Sequence, residues 1–119
     1  MTFRIQPRHD LTHYCPAGHD HPDHPTDLDS GTWTCRTCRQ SVWIDLPNPP
    51  GPALTVERVP ARDVRVGDYL VCRIKAGHET LKVHVSKADR RHAGRWDLRI
   101  ERHGPLPMAA IQYVNCIRG

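Results

Sequence analysis

A chain of 119 residues provides one ordinary domain, or two very small ones that support each other. Its composition, with 38% hydrophobic residues, eleven prolines and eight glycines, argues against a helical bundle and favours short strands joined by turns. The net charge of +4 is unevenly distributed, because residues 1–52 sum to −2 and residues 53–119 sum to +6. The basic second half can face nucleic acid or an acidic protein surface, or it can simply reflect an arginine-rich composition.

The N-terminal sequence predicts the compartment. Met1 to Arg8 is too polar for an export signal, and no run of about 18 apolar residues occurs anywhere in the sequence. We therefore expect a cytoplasmic protein that does not enter a membrane. In a reducing compartment clustered cysteines more often bind metal than form disulfides. Because the core of so short a chain is small, we expect a bound metal to stabilise it as a cross-link.

Two pairs of candidate metal ligands lie in the first part of the chain. Two residues separate Cys35 from Cys38, and three residues separate Cys15 from His19. Such spacings let one tight turn direct both side chains at one ion, and zinc takes four sulfur and nitrogen ligands in a tetrahedron. The sequence therefore predicts a closed, structural Zn²⁺ site formed by Cys15, His19, Cys35 and Cys38.

Other assignments of these residues stay open at this point. The fourth ligand can instead be His13, His21 or His24, which lie nearby in the sequence. The Cys35–Cys38 pair can be a redox pair or two plain thiols, although a thioredoxin-type pair opens a helix and no helical pattern follows here. A catalytic zinc is disfavoured, because the surrounding polar segment predicts no pocket with an open coordination position.

The segment from Tyr14 to Ile44 resembles a zinc-ribbon module. Residues 32–34 and 40–46 have strand-like composition, so a hairpin is expected to turn at the cysteine pair, and residues 20–31 form a polar, acidic loop. The resemblance implies nucleic-acid binding, attachment to transcription or translation machinery, or simple stabilisation. The chain departs from the common four-cysteine form by placing His19 where a cysteine usually stands.

A proline-rich connector, residues 47–52, separates the predicted zinc ribbon (residues 1–46) from a basic second half (residues 53–119). Beyond it, apolar residues alternate with polar ones. The period of two predicts four or five half-buried antiparallel strands, and their close spacing predicts a small β-barrel. The runs that carry the pattern are Val64–Ile74, Leu81–Val85, Trp96–Ile100 and a final run from Met108 to Ile117.

Val66-Gly67-Asp68 resembles the turn that enters a strand in SH3-like barrels and in the Hint fold of inteins. The dipeptide Asn115-Cys116 also resembles an intein C-terminus, but Val114 stands where inteins place histidine, and the second half is too short for a splicing domain. We therefore expect a mainly β protein, a zinc ribbon followed by a small antiparallel SH3-like barrel, with little or no helix.

The two remaining cysteines, Cys72 and Cys116, fall in predicted strands. Free cysteine is among the most buried residue types, so we expect both to be core residues. The alternative is a second metal site that they form with His78 or His84.

A basic segment between two predicted strands is the candidate nucleic-acid contact. A flexible hairpin tip of this kind can contact phosphates, and the adjacent Trp96 can either stack on a base or begin the core face of the next strand. The phosphate-binding candidates are Lys87, Arg90, Arg91 and Arg95.

No nucleophile elbow, phosphate-binding glycine loop or paired-carboxylate motif accompanies these features. We therefore expect a non-enzymatic zinc protein that binds nucleic acid through its basic half. The alternative is a protein-interaction module, for example a small or phage-encoded regulator that docks on a larger complex. The acidic loop favours that alternative, because its charge opposes DNA.

Overall fold

The computed structural model describes residues 2–18, 28–75 and 77–119. Its described residues contain ten strands and two short 3₁₀ turns, at Pro7–His9 and Ala61–Asp63, and no α-helix. The expectation of a mainly antiparallel β protein with little or no helix is thereby confirmed. The strands are β1 (Thr12–Tyr14), β2 (Leu28–Asp29), β3 (Thr34–Cys35), β4 (Trp43–Leu46), β5 (Leu54–Pro60), β6 (Tyr69–Ile74), β7 (Gly77–Ala88), β8 (Arg95–Ile100), β9 (Gly104–Ala109) and β10 (Tyr113–Ile117).

Eight of the strands form one antiparallel sheet in the order β1-β4-β5-β10-β6-β7-β8-β9, and β2 pairs with β3 in a small second sheet. Among the described residues β1 and β9 do not pair, so the large sheet is open and is not closed into the expected barrel. β4 and β5 pair with each other across the proline-rich connector, as in Ile44 with Val56. This pairing joins the predicted zinc ribbon to the predicted second domain within one sheet, and the division into two domains at residues 47–52 stays a prediction.

The connector is held against the sheet. The carbonyl oxygen of Pro47 accepts a hydrogen bond from Nδ1 of His78 at 2.7 Å, and the side-chain oxygen of Asn48 accepts one from the backbone N–H of the same histidine at 3.2 Å. Both bonds fix the start of β7 beside the chain that joins β4 to β5.

Two hydrophobic clusters lie on opposite faces of the central strands. We call the first the hairpin core, because strands β6 to β9 supply most of it, and the second the cysteine core. In β10 the side chains alternate between them: Val114 and Cys116 belong to the hairpin core, while Tyr113 and Ile117 pack on the cysteine core. The hairpin core comprises Val59, Ala61, Val64, Leu70, Cys72, Leu81, Val83, Leu98, Ile100, Met108, Val114 and Cys116, and the cysteine core comprises Cys15, Trp33, Cys35, Val42, Ile44, Leu46, Val56 and Val71.

A buried ion pair ties the N-terminal segment to the sheet on the cysteine-core side. The guanidinium of Arg58, in β5, donates to both carboxylate oxygens of Asp10 at 2.7 and 2.5 Å, and its Nε donates to Asn115 Oδ1 at 2.7 Å. The guanidinium carbon lies 4.4 Å from the ring centroid of Trp33. The side chains of Arg58 and Asp10 are 0% and 1% exposed, so every polar atom of the pair depends on these partners.

Candidate metal centre and cationic surfaces

The structure brings Cys15, Cys35 and Cys38 together, with all three sulfur atoms within 4.8 Å of one another. The sulfurs of Cys15 and Cys38 are 3.5 Å apart. Zinc–sulfur bonds of about 2.3 Å in a tetrahedron separate sulfur atoms by about 3.8 Å, so the spacing suits a metal ion of that kind. Three of the four predicted ligands therefore form a group that could hold a metal ion.

Two tight turns present these sulfurs. In the first, the N–H of Gly18 donates to the carbonyl of Cys15 at 3.0 Å, and Gly18 has a φ of +82°, which glycine adopts without strain. In the second, the N–H of Arg39 donates to the carbonyl of Cys35 at 2.7 Å, and the N–H of Cys35 donates to the carbonyl of Gln40 at 2.8 Å. The second turn lies between β3 and β4. The predicted hairpin is reduced here to one isolated bridge, Thr34 with Ser41, because β3 pairs with β2 and β4 pairs with β1 and β5.

The apolar surroundings fix the position of the cluster. Cys35 is fully buried, and Trp33 is 7% exposed and hydrogen-bonds through its carbonyl to the N–H of Val42. Because the Arg58 guanidinium lies over the ring of Trp33, which belongs to the same hydrophobic cluster as Cys15 and Cys35, Trp33 links the cysteines to the buried ion pair. A metal here would connect the turn after β1 with the turn between β3 and β4.

Of the four histidines that could supply the fourth ligand, the structure describes only His13. His19, His21 and His24 lie outside the described residues, so the prediction for His19 stays a prediction. His13 is described, and it is not a member of the cysteine group. Its Nε2 lies 2.9 Å from Asp10 Oδ2, and its ring stacks on Trp33 with centroids 6.0 Å apart.

The thiols of the cluster influence one another. The backbone N–H of Gln40 lowers the pKa of Cys38, but burial and the neighbouring sulfurs of Cys15 and Cys35 outweigh it, so the pKa lies above its ordinary value. A cation bound among the sulfurs reverses this balance, because it binds the thiolate form and releases the protons.

Cys72 and Cys116 are fully buried in the hairpin core, as expected. Among the described residues neither belongs to a group that could hold a metal ion, and His78 Nδ1 is engaged by the carbonyl of Pro47, so the structure does not bring together the residues of the alternative second metal site. Burial raises the pKa of Cys116 to about 12, which keeps this thiol protonated.

The structure divides the predicted phosphate-binding residues between two places. Lys87, Arg90 and Arg91 are exposed around a shallow depression of about 430 Å³ at the β7–β8 tip, which Arg99 also lines. Arg95 instead lines a separate cleft, of about 450 Å³, which it shares with Arg4. No sequence pattern indicated Arg4 as a functional residue, because it lies 91 positions from Arg95 and only the strand order brings them together.

Acidic residues accompany the tip cations, and Trp96 is partly buried. Asp89 and Asp97 line the same depression, and the carboxylate of Asp89 accepts a hydrogen bond from the N–H of Arg91 at 2.8 Å. The Trp96 ring packs against the hairpin core and its indole N–H donates to Ser86 at 2.8 Å. This agrees with a core-facing Trp96 rather than a stacking platform.

Comparison of the chain with protein-family models, curated proteins and solved structures finds no match. Within the described part of the chain, no helix has the length and apolar character needed to cross a membrane.

Proposed function

We propose that the protein is a non-enzymatic, zinc-stabilised protein that binds nucleic acid through its basic surface. The observation that carries the proposal is the grouping of Lys87, Arg90, Arg91 and Arg99 on one concave surface, at the end of the long β7–β8 hairpin. These four cations outnumber the two acids beside them, Asp89 and Asp97. A hairpin tip with excess positive charge attracts a phosphate backbone without reading its sequence.

The test measures binding of short duplex and single-stranded oligonucleotides by fluorescence anisotropy, at several salt concentrations. We expect the triple variant Lys87→Gln/Arg90→Gln/Arg91→Gln to bind at least tenfold more weakly, and its logarithmic salt dependence to fall by roughly two to three units. The matched control, Arg62→Gln/Arg65→Gln/Lys75→Gln, removes the same charge from other exposed positions. Equal losses in both triple variants, or no binding at low salt, would refute the proposal.

Zinc is the metal that we propose for the cysteine cluster, because three thiolates and one imidazole form a donor set typical of structural zinc sites. Native mass spectrometry of the protein purified without added chelator is expected to show one Zn²⁺ per chain. Cys38→Ser is expected to lose it. Comparing His13→Ala, His19→Ala, His21→Ala and His24→Ala by chelator competition identifies the fourth ligand, and His84→Ala, at an exposed position of β7, serves as the control.

The alternative, a protein-interaction module, is favoured by one exposed aromatic groove. Trp43 is 42% exposed, packs edge-to-face on Tyr14 with centroids 5.8 Å apart, and lines a groove of about 440 Å³ together with Ile117. Exposed Trp and Tyr side chains are frequent anchors in protein interfaces. Under this alternative, partner capture survives nuclease treatment and is lost in Trp43→Ala, whereas the control Leu11→Ala leaves it intact.

A further inference from the structure

A cleft of about 450 Å³ separates the N-terminal residues from β9. It exists because Thr2 pairs with Arg73 of β6 through two backbone hydrogen bonds of 2.9 and 2.8 Å, which lay the first residues along the sheet. Phe3 then packs against the hairpin core and edge-to-face on His103, with ring centroids 5.5 Å apart. The cleft has the volume of a small-ligand site.

Among the described residues, the charged side chains that line this cleft are those of Arg4 and Arg95, which are both exposed, and no described Asp or Glu lines it. Within residues 2–18, 28–75 and 77–119, neither guanidinium has a hydrogen-bond or ion-pair partner, whereas Arg58 and Arg118 are both paired with carboxylates. Two unpaired guanidiniums in one concave surface create a positive potential that an anion can satisfy.

The remaining walls of the cleft suit an aromatic base. Leu106 and Met108 pack on the hairpin core and give the cleft an apolar side, and Phe3 and His103 add two ring systems. Gln112 supplies an amide that can both donate and accept hydrogen bonds. Cations beside an apolar, aromatic surface are the combination with which proteins bind unpaired nucleotides.

We infer that this cleft is a nucleotide subsite for single-stranded nucleic acid, in which Arg4 and Arg95 contact phosphates and the apolar side receives a base. The inference rests on the proposed nucleic-acid binding and assigns it a second, distinct surface. A single strand is favoured over a duplex, because paired bases are stacked away from the protein and cannot reach the apolar side of the cleft.

The test compares a labelled single-stranded oligonucleotide, a duplex and a free mononucleotide. We expect Arg4→Gln and Arg95→Gln each to weaken single-strand binding about five- to tenfold and to lower its salt slope by about 0.7, with smaller losses for the duplex. Arg62→Gln is the matched control, and circular dichroism verifies that each variant is folded. On the wild-type protein, an oligonucleotide containing 4-thiothymidine is expected to cross-link to peptides containing Phe3 or His103.

Each other outcome has a definite meaning. Two results overturn the inference and leave the proposed function standing. One is binding that depends on Lys87, Arg90 and Arg91 but is unchanged in Arg4→Gln and Arg95→Gln. The other is a set of cross-links confined to the β7–β8 tip. Displacement of the strand by an equal concentration of mononucleotide identifies a free nucleotide as the ligand and overturns the single-strand assignment. Absence of all nucleic-acid binding at low salt refutes the proposed function and the inference together.

Discussion

At the level of single residues, Arg58 is the buried charged side chain that joins the N-terminal segment, β10 and one residue of the cysteine core, Trp33. Its guanidinium bonds to Asp10 and Asn115 and lies over Trp33, although it is completely removed from solvent. Such a pair gains little over a well-packed apolar substitute, because desolvation of the charges offsets their attraction. Removal of one partner alone is costly, because it leaves the other charge buried and unpaired.

We therefore predict that Arg58→Met lowers the free energy of unfolding by about 3–5 kcal/mol. The control Arg62→Met, at an exposed position, is expected to change it by less than about 0.5 kcal/mol. The double variant Asp10→Leu/Arg58→Met is expected to recover part of the loss, because both charges are gone. Urea denaturation followed by tryptophan fluorescence measures all three, and a double variant less stable than Arg58→Met contradicts this account.

The pKa values of Asp10 and Asp68 determine how the free energy of unfolding depends on pH in acid. Burial raises the pKa of Asp10, but hydrogen bonds from His13 and Arg58 outweigh it, so the pKa is lowered. Burial likewise raises the pKa of Asp68, and the N–H groups of Gly119 and Arg65 and the side chain of Arg118 outweigh it, with the same net result.

A carboxyl group with a lowered pKa in the folded state stabilises the fold above its unfolded pKa of about 3.9 and loses this contribution as the pH falls through the folded pKa. We predict that the free energy of unfolding falls steadily as the pH is lowered below about 5. Asp10→Asn is expected to be less stable at pH 7 and to lose less on acidification. An Asp10→Asn profile parallel to that of the wild type would contradict the prediction.

At the level of the elements, alternation of apolar residues predicted β6, β7 and β8 well, because each places one face on the hairpin core. It did not identify β5, in which Val56 faces one core, Val59 faces the other and the buried Arg58 interrupts the pattern. It also did not identify β9, because Pro105 and Pro107 argue against a central strand. β9 is in fact an edge strand, where proline is tolerated.

The prolines of β9 protect this edge of the sheet. Proline has no N–H, so alternate positions of β9 offer no donor to an incoming strand. We predict that Pro105→Thr/Pro107→Thr increases self-association, measured by sedimentation velocity at several concentrations. Pro52→Thr, in the exposed connector, is expected to remain as dispersed as the wild type. Unchanged sedimentation of the double variant would show that the prolines do not limit edge pairing.

At the level of the whole molecule, the sequence motif identified the cysteine cluster because its members lie on two local turns. The linkage of that cluster to Asp10, Arg58 and Asn115 could not be predicted, since these residues come from three distant segments. The open sheet was also not foreseen, because short alternating strands occur both in barrels and in open sheets. Arg4 and Arg95 line one cleft because of the order of the strands in the sheet, so their proximity could not be predicted either.

The two groups of cysteines predict a stepwise exposure of thiols. With the proposed metal bound, we expect none of the five cysteines to react rapidly with a thiol reagent at pH 7. Addition of a strong chelator is expected to release three reactive thiols, from Cys15, Cys35 and Cys38. Cys72 and Cys116 are expected to react only after denaturant is added. Early reaction of all five thiols upon chelation would show that the hairpin core depends on the metal.

The position of β10 has a consequence for the synthesis of the protein. β10 lies between β5 and β6, which do not pair with each other, so the middle of the sheet lacks a strand until residues 113–117 have been made. The nine other described strands are translated first. Until β10 follows them, both cores lack the side chains that β10 supplies. The large sheet therefore cannot be completed until β10 has left the exit tunnel, and we expect the nascent chain to leave Val59 and Leu70 of one core and Val56 of the other uncovered by β10 during that interval.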